Sequence, residues 1–482
     1  MVNYKFKLTD TIAAISSAHS DGAIGIIRLS GDEAFSILKK IFQPKSKNTS
    51  KASQAKLMFG NIKIAQKVVD QALIANFYHP KSYTGEDMVE IYAHGNFALL
   101  NLILRHILSL GARLAEPGEF TRRAFLNDKI DLTKAEAIAE MMEVSSLMGA
   151  QVVSAQLEGR LQGEVIKFKN ELKSVLAILN AGIDFSDEDL DFEQKDKLIK
   201  RLEVVNGQIG VLLKNAPSSI IMHHGGKVVI GGLVNVGKSS LLNALLGKDK
   251  SIVTNIAGTT RDMVGDYLLI DGLKLEILDT AGLRRLNGEA KLATSTIDEV
   301  GVDEVDEVDE VGEVEEIGIK KSFAGFKKAD VILWVVDLTK PLFDIPASIK
   351  DKKILLVGNK LDLLGDKNFD FPKSVNNLPK IKVSALKNIG LESLKGQLKN
   401  LVLGQEKLKP ENAHIFNSRQ QGALQTAKKH LTLAIDKLKF IANEDTSAYE
   451  LTLALDSLAA VVGQVTNEDV LGEIFAKFCI GK

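Results

Sequence analysis

The chain has 482 residues, 45% hydrophobic and 26% charged, with a formal net charge of −1. So long a chain exceeds what one core serves, and about three domains are expected. Its composition is typical of soluble globular chains, and no uninterrupted apolar run reaches the roughly 20 residues that span a bilayer. The sole cysteine, Cys479, excludes an intramolecular disulfide and a multi-cysteine metal site. With an N-terminus, MVNYKFKLTD, that has no targeting pattern, the expectation is a cytoplasmic protein without membrane contact. Near-neutral total charge does not argue against a nucleic-acid partner, because a local basic face can hide within it.

From Thr11 to about Arg113, short β-branched runs (IGIIRLS, QALIANF, MVEIYAH) read as strands, and the apolar periodicity from Phe97 to Leu110 reads as a helix. An α+β domain is expected there. From Phe120 to about Ser218, apolar residues recur at helical spacing with a break near Gly182 to Asp191, predicting two or more long helices. From Lys227, the runs KVVIGGL, LKLEILDT, VILWVVD, KILLVGN and IKVSA alternate with helical stretches, which predicts a parallel sheet with crossover helices. Asp271-Gly272 adds a hairpin. After about Leu403 the pattern is helical again, with capping boxes expected at Ser447/Glu450 and Thr466/Asp469. The two helical regions are expected to pack as one domain. The acidic Asp-Glu-Val repeat from Asp298 to Glu316 is expected to be a solvated, self-repelling loop.

The chemistry concentrates in the parallel-sheet region. Gly232-Leu-Val-Asn-Val-Gly237-Lys238-Ser239 matches GxxxxGKS between a strand and a helix. In such a loop, backbone N–H groups from Asn235 through Ser240 cradle phosphate oxygens, Lys238 reaches the β/γ-phosphates, and Ser239 ligates Mg²⁺. Asp279-Thr280-Ala281-Gly282 follows a strand, where an aspartate can hold Mg²⁺ through water and a glycine N–H can sense the γ-phosphate. Between them, Thr260 is taken as a second Mg²⁺ ligand, with Thr259 equally compatible by spacing. Asn359-Lys360-Leu361-Asp362 ends another strand. The Asp362 carboxylate would accept from both guanine N1–H and the 2-amino group, which adenine cannot reproduce. Ser384-Ala385-Leu386 would bring backbone to guanine O6. Together they predict a P-loop GTPase with GTP as substrate. Leu283 occupies the position where many Ras-like proteins carry a water-orienting glutamine, so hydrolysis needs another group or a cation.

Beyond these shared motifs, the chain resembles the MnmE (TrmE) family of tRNA modification GTPases from Asp10 to Lys482. The resemblance rests on DTIAA with GAIGIIRLSG, YTGEDMVEI, EPGEFTRRAFLNDKIDLTKAEAIAE and the terminal FCIGK. It implies an α+β folate-binding and dimerisation domain at 1–122, a discontinuous helical domain at 123–222 and 404–482, and an inserted Ras-like domain at 223–403. It further implies a homodimer that works with the flavoprotein MnmG, as a heterotetramer, on the wobble uridine of certain tRNAs. The one-carbon donor would be 5-formyl-tetrahydrofolate or a related folate. By motif, folate contacts fall on Arg28, Glu90, Lys129 and Lys482. A K⁺ ion near the α/β-phosphates would be held by Asn235, Thr254, Ile256 and Thr259, with Thr254 and Thr259 also lining the GTP site. The catalytic glutamate maps to Glu315, with Glu313 and Glu316 as rival registers. Two departures stand out: Val234 where the family usually has proline, and the acidic repeat lengthening the stretch before Glu315. A ribosome-assembly GTPase that binds rRNA is the alternative, and it would require an RNA-binding fold such as a KH domain after the G motifs.

Overall fold

The structure is a computed structural model that describes residues 10–18, 22–45, 57–184, 192–233, 235–247, 266–279, 326, 328–340, 345–346, 349–365, 369, 371–404, 408–441, 444–464 and 468–482. The chain forms two compact units. One comprises Met1–Glu143, Gln156–Ile209 and Gly422–Lys482; the other comprises Val144–Ala155 and Gly210–Gln421.

The first unit is built on a seven-stranded sheet of order β3-β4-β5-β6-β2-β1-β7. Its strands are β1 (Ile12–Ile15), β2 (Gly22–Ser30), β3 (Phe42–Pro44), β4 (Leu57–Ile64), β5 (Lys67–Phe77), β6 (Met88–Gly95) and β7 (Arg113–Leu114). All neighbours are antiparallel except β1 and β7. Alternation along β2 and β6 sends Ile27, Leu29, Val89 and Ile91 into a core shared with helices Ala34–Ile41 and Phe97–Ser109. Asn96 caps the second of these helices by accepting from Leu99 N–H at 3.0 Å. Arg28 and Glu90 therefore project from the opposite face of the sheet.

Helices Arg160–Asp184 and Glu444–Val462 pack along each other in the same unit. Ser447 does not cap the second helix. It lies buried inside that helix, and its hydroxyl donates to Ala434 carbonyl at 3.0 Å, while Glu450 accepts from His430 at 2.7 Å and from Lys437 at 2.8 Å. The Ser-x-x-Glu spacing was thus satisfied by tertiary partners rather than by a helix start. Thr466 lies outside the described residues. Helix Glu468–Phe475 joins Leu132, Ala135, Phe475 and Phe478 in a small core that anchors the C-terminal tail. The tail continues to β1: Ile480 bridges Pro117, and Ser16 Oγ donates to Gly481 carbonyl at 2.8 Å. A side chain at Gly481 (φ +99) would stand 2.2 Å from Ile15 carbonyl, so the approach requires glycine.

Below the Arg28 face lies an ion-pair network. The buried Arg123 donates to Asp10 (2.6 Å), Glu119 (3.0 Å) and Glu86 (3.1 Å), while Arg113 donates to Asp10 (2.7 Å) and Glu119 (2.6 Å). Glu86 also accepts from Ser30 Oγ at 2.7 Å, which ties the loop before β6 to the end of β2. Burial pushes the Glu119 carboxyl up, but Arg113, the Glu116 N–H and Arg123 outweigh it and hold the group below its ordinary value of 4.5. Asp10 is likewise held below 3.8, burial being outweighed by Arg113 and Arg123.

The second unit carries a six-stranded sheet of order β13-β12-β11-β8-β10-β9. Its strands are β8 (Gly226–Gly231), β9 (Asp266–Ile270), β10 (Leu273–Asp279), β11 (Val331–Asp337), β12 (Ile354–Asn359) and β13 (Lys380–Lys382). All pairs are parallel except β9 with β10. β11 and β12 are buried along their whole length, which is why their sequences read as continuous apolar runs. Asp271 (φ +48) and Gly272 (φ +82) make the turn between β9 and β10, both in the left-handed region that a two-residue hairpin demands. The run KVSA is strand only to Lys382; Ser384 then turns back to bridge Ile389. No helix among the described residues is long and apolar enough to cross a membrane.

Replacing Arg123 by Met would strip Asp10, Glu119 and Glu86 of their shared cation while Arg113 still holds Asp10 and Glu119, at an expected cost of about 1–3 kcal/mol near neutral pH. Because Asp10 and Glu119 have depressed folded values, the stability they contribute is present above 4.5 and drains away as pH falls through those values. Thermal unfolding across a pH series should therefore show the gap between wild type and Arg123→Met narrowing on the acid side.

Candidate functional site

The carboxyl ends of β8, β10, β11 and β12 lie at one edge of the sheet in the second unit, where open α/β sheets place their ligands. β8 runs into the glycine-bounded loop, and helix Lys238–Leu246 starts directly after Gly237. Gly237 has φ +94, and a Cβ there would sit 2.4 Å from Asn359 Nδ2; a Cβ on Gly232 (φ +140) would sit 2.2 Å from Val335 carbonyl. Both glycines are thus demanded by backbone conformation and by close approach. Lys238 Nζ folds back to Gly232 carbonyl (2.9 Å) and Leu233 carbonyl (2.7 Å), which holds the ammonium over the loop. Asn235, Ser239 and Ser240 are exposed, and Val236 is buried.

Two side chains from the end of β12 grip this loop. Asn359, 2% exposed, donates to Val236 carbonyl at 3.0 Å and accepts from Ala385 N–H at 3.0 Å. Lys360 (φ +64) donates to Asn235 carbonyl at 2.8 Å and to Asp337 Oδ2 at 2.6 Å. A trans peptide places its C=O and the following N–H on opposite sides. Holding the carbonyls of Asn235 and Val236 toward β12 therefore turns the N–H groups of Val236 and Gly237 the other way, as a phosphate cradle requires. Asp362 Oδ1 accepts from Ser384 Oγ at 2.5 Å, and Ser384 Oγ in turn accepts from Lys387 N–H at 3.1 Å. The Asp362 carboxylate is thereby fixed beside Ala385 and the exposed Leu386. Asp279 closes β10 in register with Ile230 of β8; its side chain lies outside the described residues. Thr254, Ile256, Thr259, Thr260, Thr280, Ala281, Gly282, Leu283, Glu313, Glu315, Glu316 and Val234 also lie outside them.

The first unit holds a second polar cluster. Arg28 Nε and Nη2 both donate to Glu90 Oε1, at 2.9 and 2.7 Å, across the directly paired positions of β2 and β6. The Tyr92 hydroxyl donates to the other oxygen of Glu90. Burial, followed by the hydrogen bond and negative charge of Glu90, pushes the Tyr92 phenol up to about 12. The Arg28 guanidinium lies 5.4 Å from the centre of the Tyr83 ring and 5.5 Å from that of Phe120. The tail meets Ile15, one residue along β1 from Ala14, the partner of Arg28. Lys129 Nζ instead donates to Pro80 carbonyl at 2.9 Å, and Lys482 Nζ lies 2.8 Å from Met142 Sδ. Of the four residues singled out from sequence, Arg28 and Glu90 touch, while Lys129 and Lys482 have other neighbours. Cys479 is exposed.

Comparison with known proteins decides the family. The MnmE helical domain model matches residues 132–479, and the GTP-binding protein TrmE N-terminus model matches residues 11–129. The tRNA modification GTPase MnmE of Thermoanaerobacter sp. (strain X514) is 37% identical, with 98% of this chain and 99% of that protein covered. The protein of the same name from Clostridioides difficile (strain 630) is 36% identical, covering 98% and 100%. The chain belongs to the MnmE family of tRNA modification GTPases. It is accordingly a GTP hydrolase acting in tRNA modification. Among solved structures, Era from Aquifex aeolicus bound to GDP.AlF4- is similar at 26% identity over 43% of this chain and 67% of that chain, with a TM-score of 0.25.

Within this MnmE-family chain, sequence reasoning missed Asp337, Tyr83, Tyr92 and Phe120. Asp337 had a legible signal, an acidic residue ending an apolar strand as Asp279 does. The aromatic residues had none, because their relation to Arg28 exists only across paired strands and a distant helix. At Gly237, alanine would meet both the left-handed backbone and the Asn359 amide. Gly237→Ala should lower GDP affinity about tenfold or more by fluorescent-nucleotide titration, with the first unit unaffected.

Proposed function

We propose that this protein is a potassium-activated GTPase that works with the flavoprotein MnmG, as a homodimer within a heterotetramer, on certain tRNAs. The pair adds an aminomethyl or carboxymethylaminomethyl group to carbon 5 of the wobble uridine, using a formyl-tetrahydrofolate-type donor. The observation that carries the nucleotide part is the buried Asn359 amide, which joins the base-reading segment to the phosphate-binding loop. On this reading, Asp362 selects guanine, Lys238 and the N–H groups of Asn235 through Ser240 hold the phosphates, and Ser384, Ala385 and Leu386 border the base.

Ser239 is exposed on the first turn of its helix beside the end of β10, a position that suits a Mg²⁺ ligand, with Thr260 as the second. Asn235 is exposed at the crest of the loop in a left-handed conformation, which suits a K⁺ ligand alongside Thr254, Ile256 and Thr259. Held by these residues, the two cations would supply positive charge opposite the phosphates. Glu315 then orients the attacking water in place of the glutamine absent at Leu283. In the first unit, the paired Arg28 and Glu90 side chains, with the half-buried Tyr83 ring beside the guanidinium, offer hydrogen-bonding groups next to an aromatic ring, which fits a pterin ring. Lys129 and Lys482 are the cations for the acidic end of a folate. Beyond Leu403 the described elements of five or more residues are all helical, so nothing favours an RNA-binding fold there and a role in ribosome assembly.

Purified protein should hydrolyse GTP several-fold faster in KCl than in NaCl; equal rates in the two salts would sink the potassium assignment. In cells, mass spectrometry of wobble uridines should show loss of the modification when the gene is deleted. Restoration by wild type but not by Glu315→Ala is expected. Restoration by Glu315→Ala would remove Glu315 from the mechanism.

A further inference from the structure

Asp337 closes β11 in direct register with Asn359 at the end of β12, and it is 5% exposed. Among the described residues, the hydrogen bonds to its carboxylate come from this edge of the sheet. Oδ1 accepts from Thr339 N–H (2.9 Å) and Thr339 Oγ1 (2.6 Å), and Oδ2 accepts from Lys360 Nζ (2.6 Å). Burial pushes the carboxyl up, but Lys360 and Thr339 outweigh it and hold it below its ordinary value, so it is ionised at neutral pH. The Lys360 ammonium therefore sits between a buried carboxylate and the Asn235 carbonyl 2.8 Å away. A lysine side chain left to itself samples many rotamers, and a point charge on a flexible stem does not hold a carbonyl in one direction. Here the buried anion supplies the fixed end.

We propose that Asp337 is a positioning residue for nucleotide retention. By anchoring Lys360 it fixes the peptide between Asn235 and Val236, so that the Val236 N–H stays turned toward the phosphates. The inference rests on the nucleotide-site reading above and assigns to that site a residue outside the GxxxxGKS, DxxG and NKxD motifs. The chain that carries it runs from Thr339 through Asp337 and Lys360 to the Asn235 carbonyl. Base selection is not part of it, because Asp362 is held separately by Ser384.

The test uses the full-length protein and stopped-flow release of a fluorescent GDP analogue (mant-GDP). Asp337→Asn should raise the dissociation rate about tenfold or more, leave the association rate within about twofold, and keep preference for guanine over adenine. Lys360→Met should raise dissociation as well, and adding Asp337→Asn to Lys360→Met should change nothing further. Thr339→Val, which removes a single hydrogen bond to the carboxylate, should raise dissociation less and should also be silent in the Lys360→Met background. It reads the same coupling if Asp337→Asn does not fold. Unchanged dissociation in these variants, or an Asp337→Asn effect that persists in full beside Lys360→Met, would overturn the proposal. Wild-type protein that failed to bind mant-GDP would overturn the nucleotide-site reading together with it. Tight wild-type binding with unaltered release from the variants would overturn this inference alone.

Discussion

The buried side-chain amide of Asn359 is the contact on which the nucleotide site depends. Its nitrogen holds the carbonyl of Val236 and its oxygen holds the N–H of Ala385, so one planar group spaces the glycine-bounded loop from the segment that the proposed function sets beside the base. An amide is suited to this because it carries a donor and an acceptor at fixed separation. Its partners are backbone atoms on both sides, which leaves their side chains free to vary and their peptide orientation constrained. Gly237 is part of the same constraint, since the amide occupies the volume a Cβ would take. The lysine that follows repeats the arrangement one peptide earlier in the loop, with Asp337 as its fixed end.

The first unit solves a different problem, that of keeping a guanidinium and a carboxylate in place on a sheet face. Cross-strand pairing sets Arg28 opposite Glu90, and Tyr92, two residues on and hence on the same face, takes the remaining oxygen. The network of Arg113, Arg123, Asp10, Glu86 and Glu119 supports this face from one side, and the C-terminal tail reaches β1 from another. In the proposed function, the chain's last residues and its first strand thus share responsibility for one ligand. Residues 465 positions apart meet there through a single hydrogen bond between Ser16 and Gly481.

Some of this was legible in the residues alone. The apolar runs of β11 and β12 are buried along their whole length, so their hydrophobicity is continuous and their strand character and parallel arrangement could be read. The capping box expected at Ser447 and Glu450 failed for a physical reason: the Ser447 hydroxyl and Glu450 carboxylate were already committed to Ala434, His430 and Lys437, partners that a local spacing rule cannot see. The short IKVSA strand was read too long because Ser384 turns the chain back to Ile389 so that its hydroxyl can meet Asp362.

The class of chemistry follows from the residues alone. Glycines at 232 and 237, a lysine and serine beyond them, and Asn-Lys-x-Asp at a strand end are required by close backbone approach and by the donor pattern of guanine, both of which act over a few residues. How these pieces hold one another depends on the fold: Asn359 on the loop, Asp337 behind Lys360, Tyr92 behind Glu90, and the tail against β1. Those contacts join segments brought together by strand register and helix packing, and nothing in local spacing encodes which distant carbonyl a buried amide or ammonium will meet.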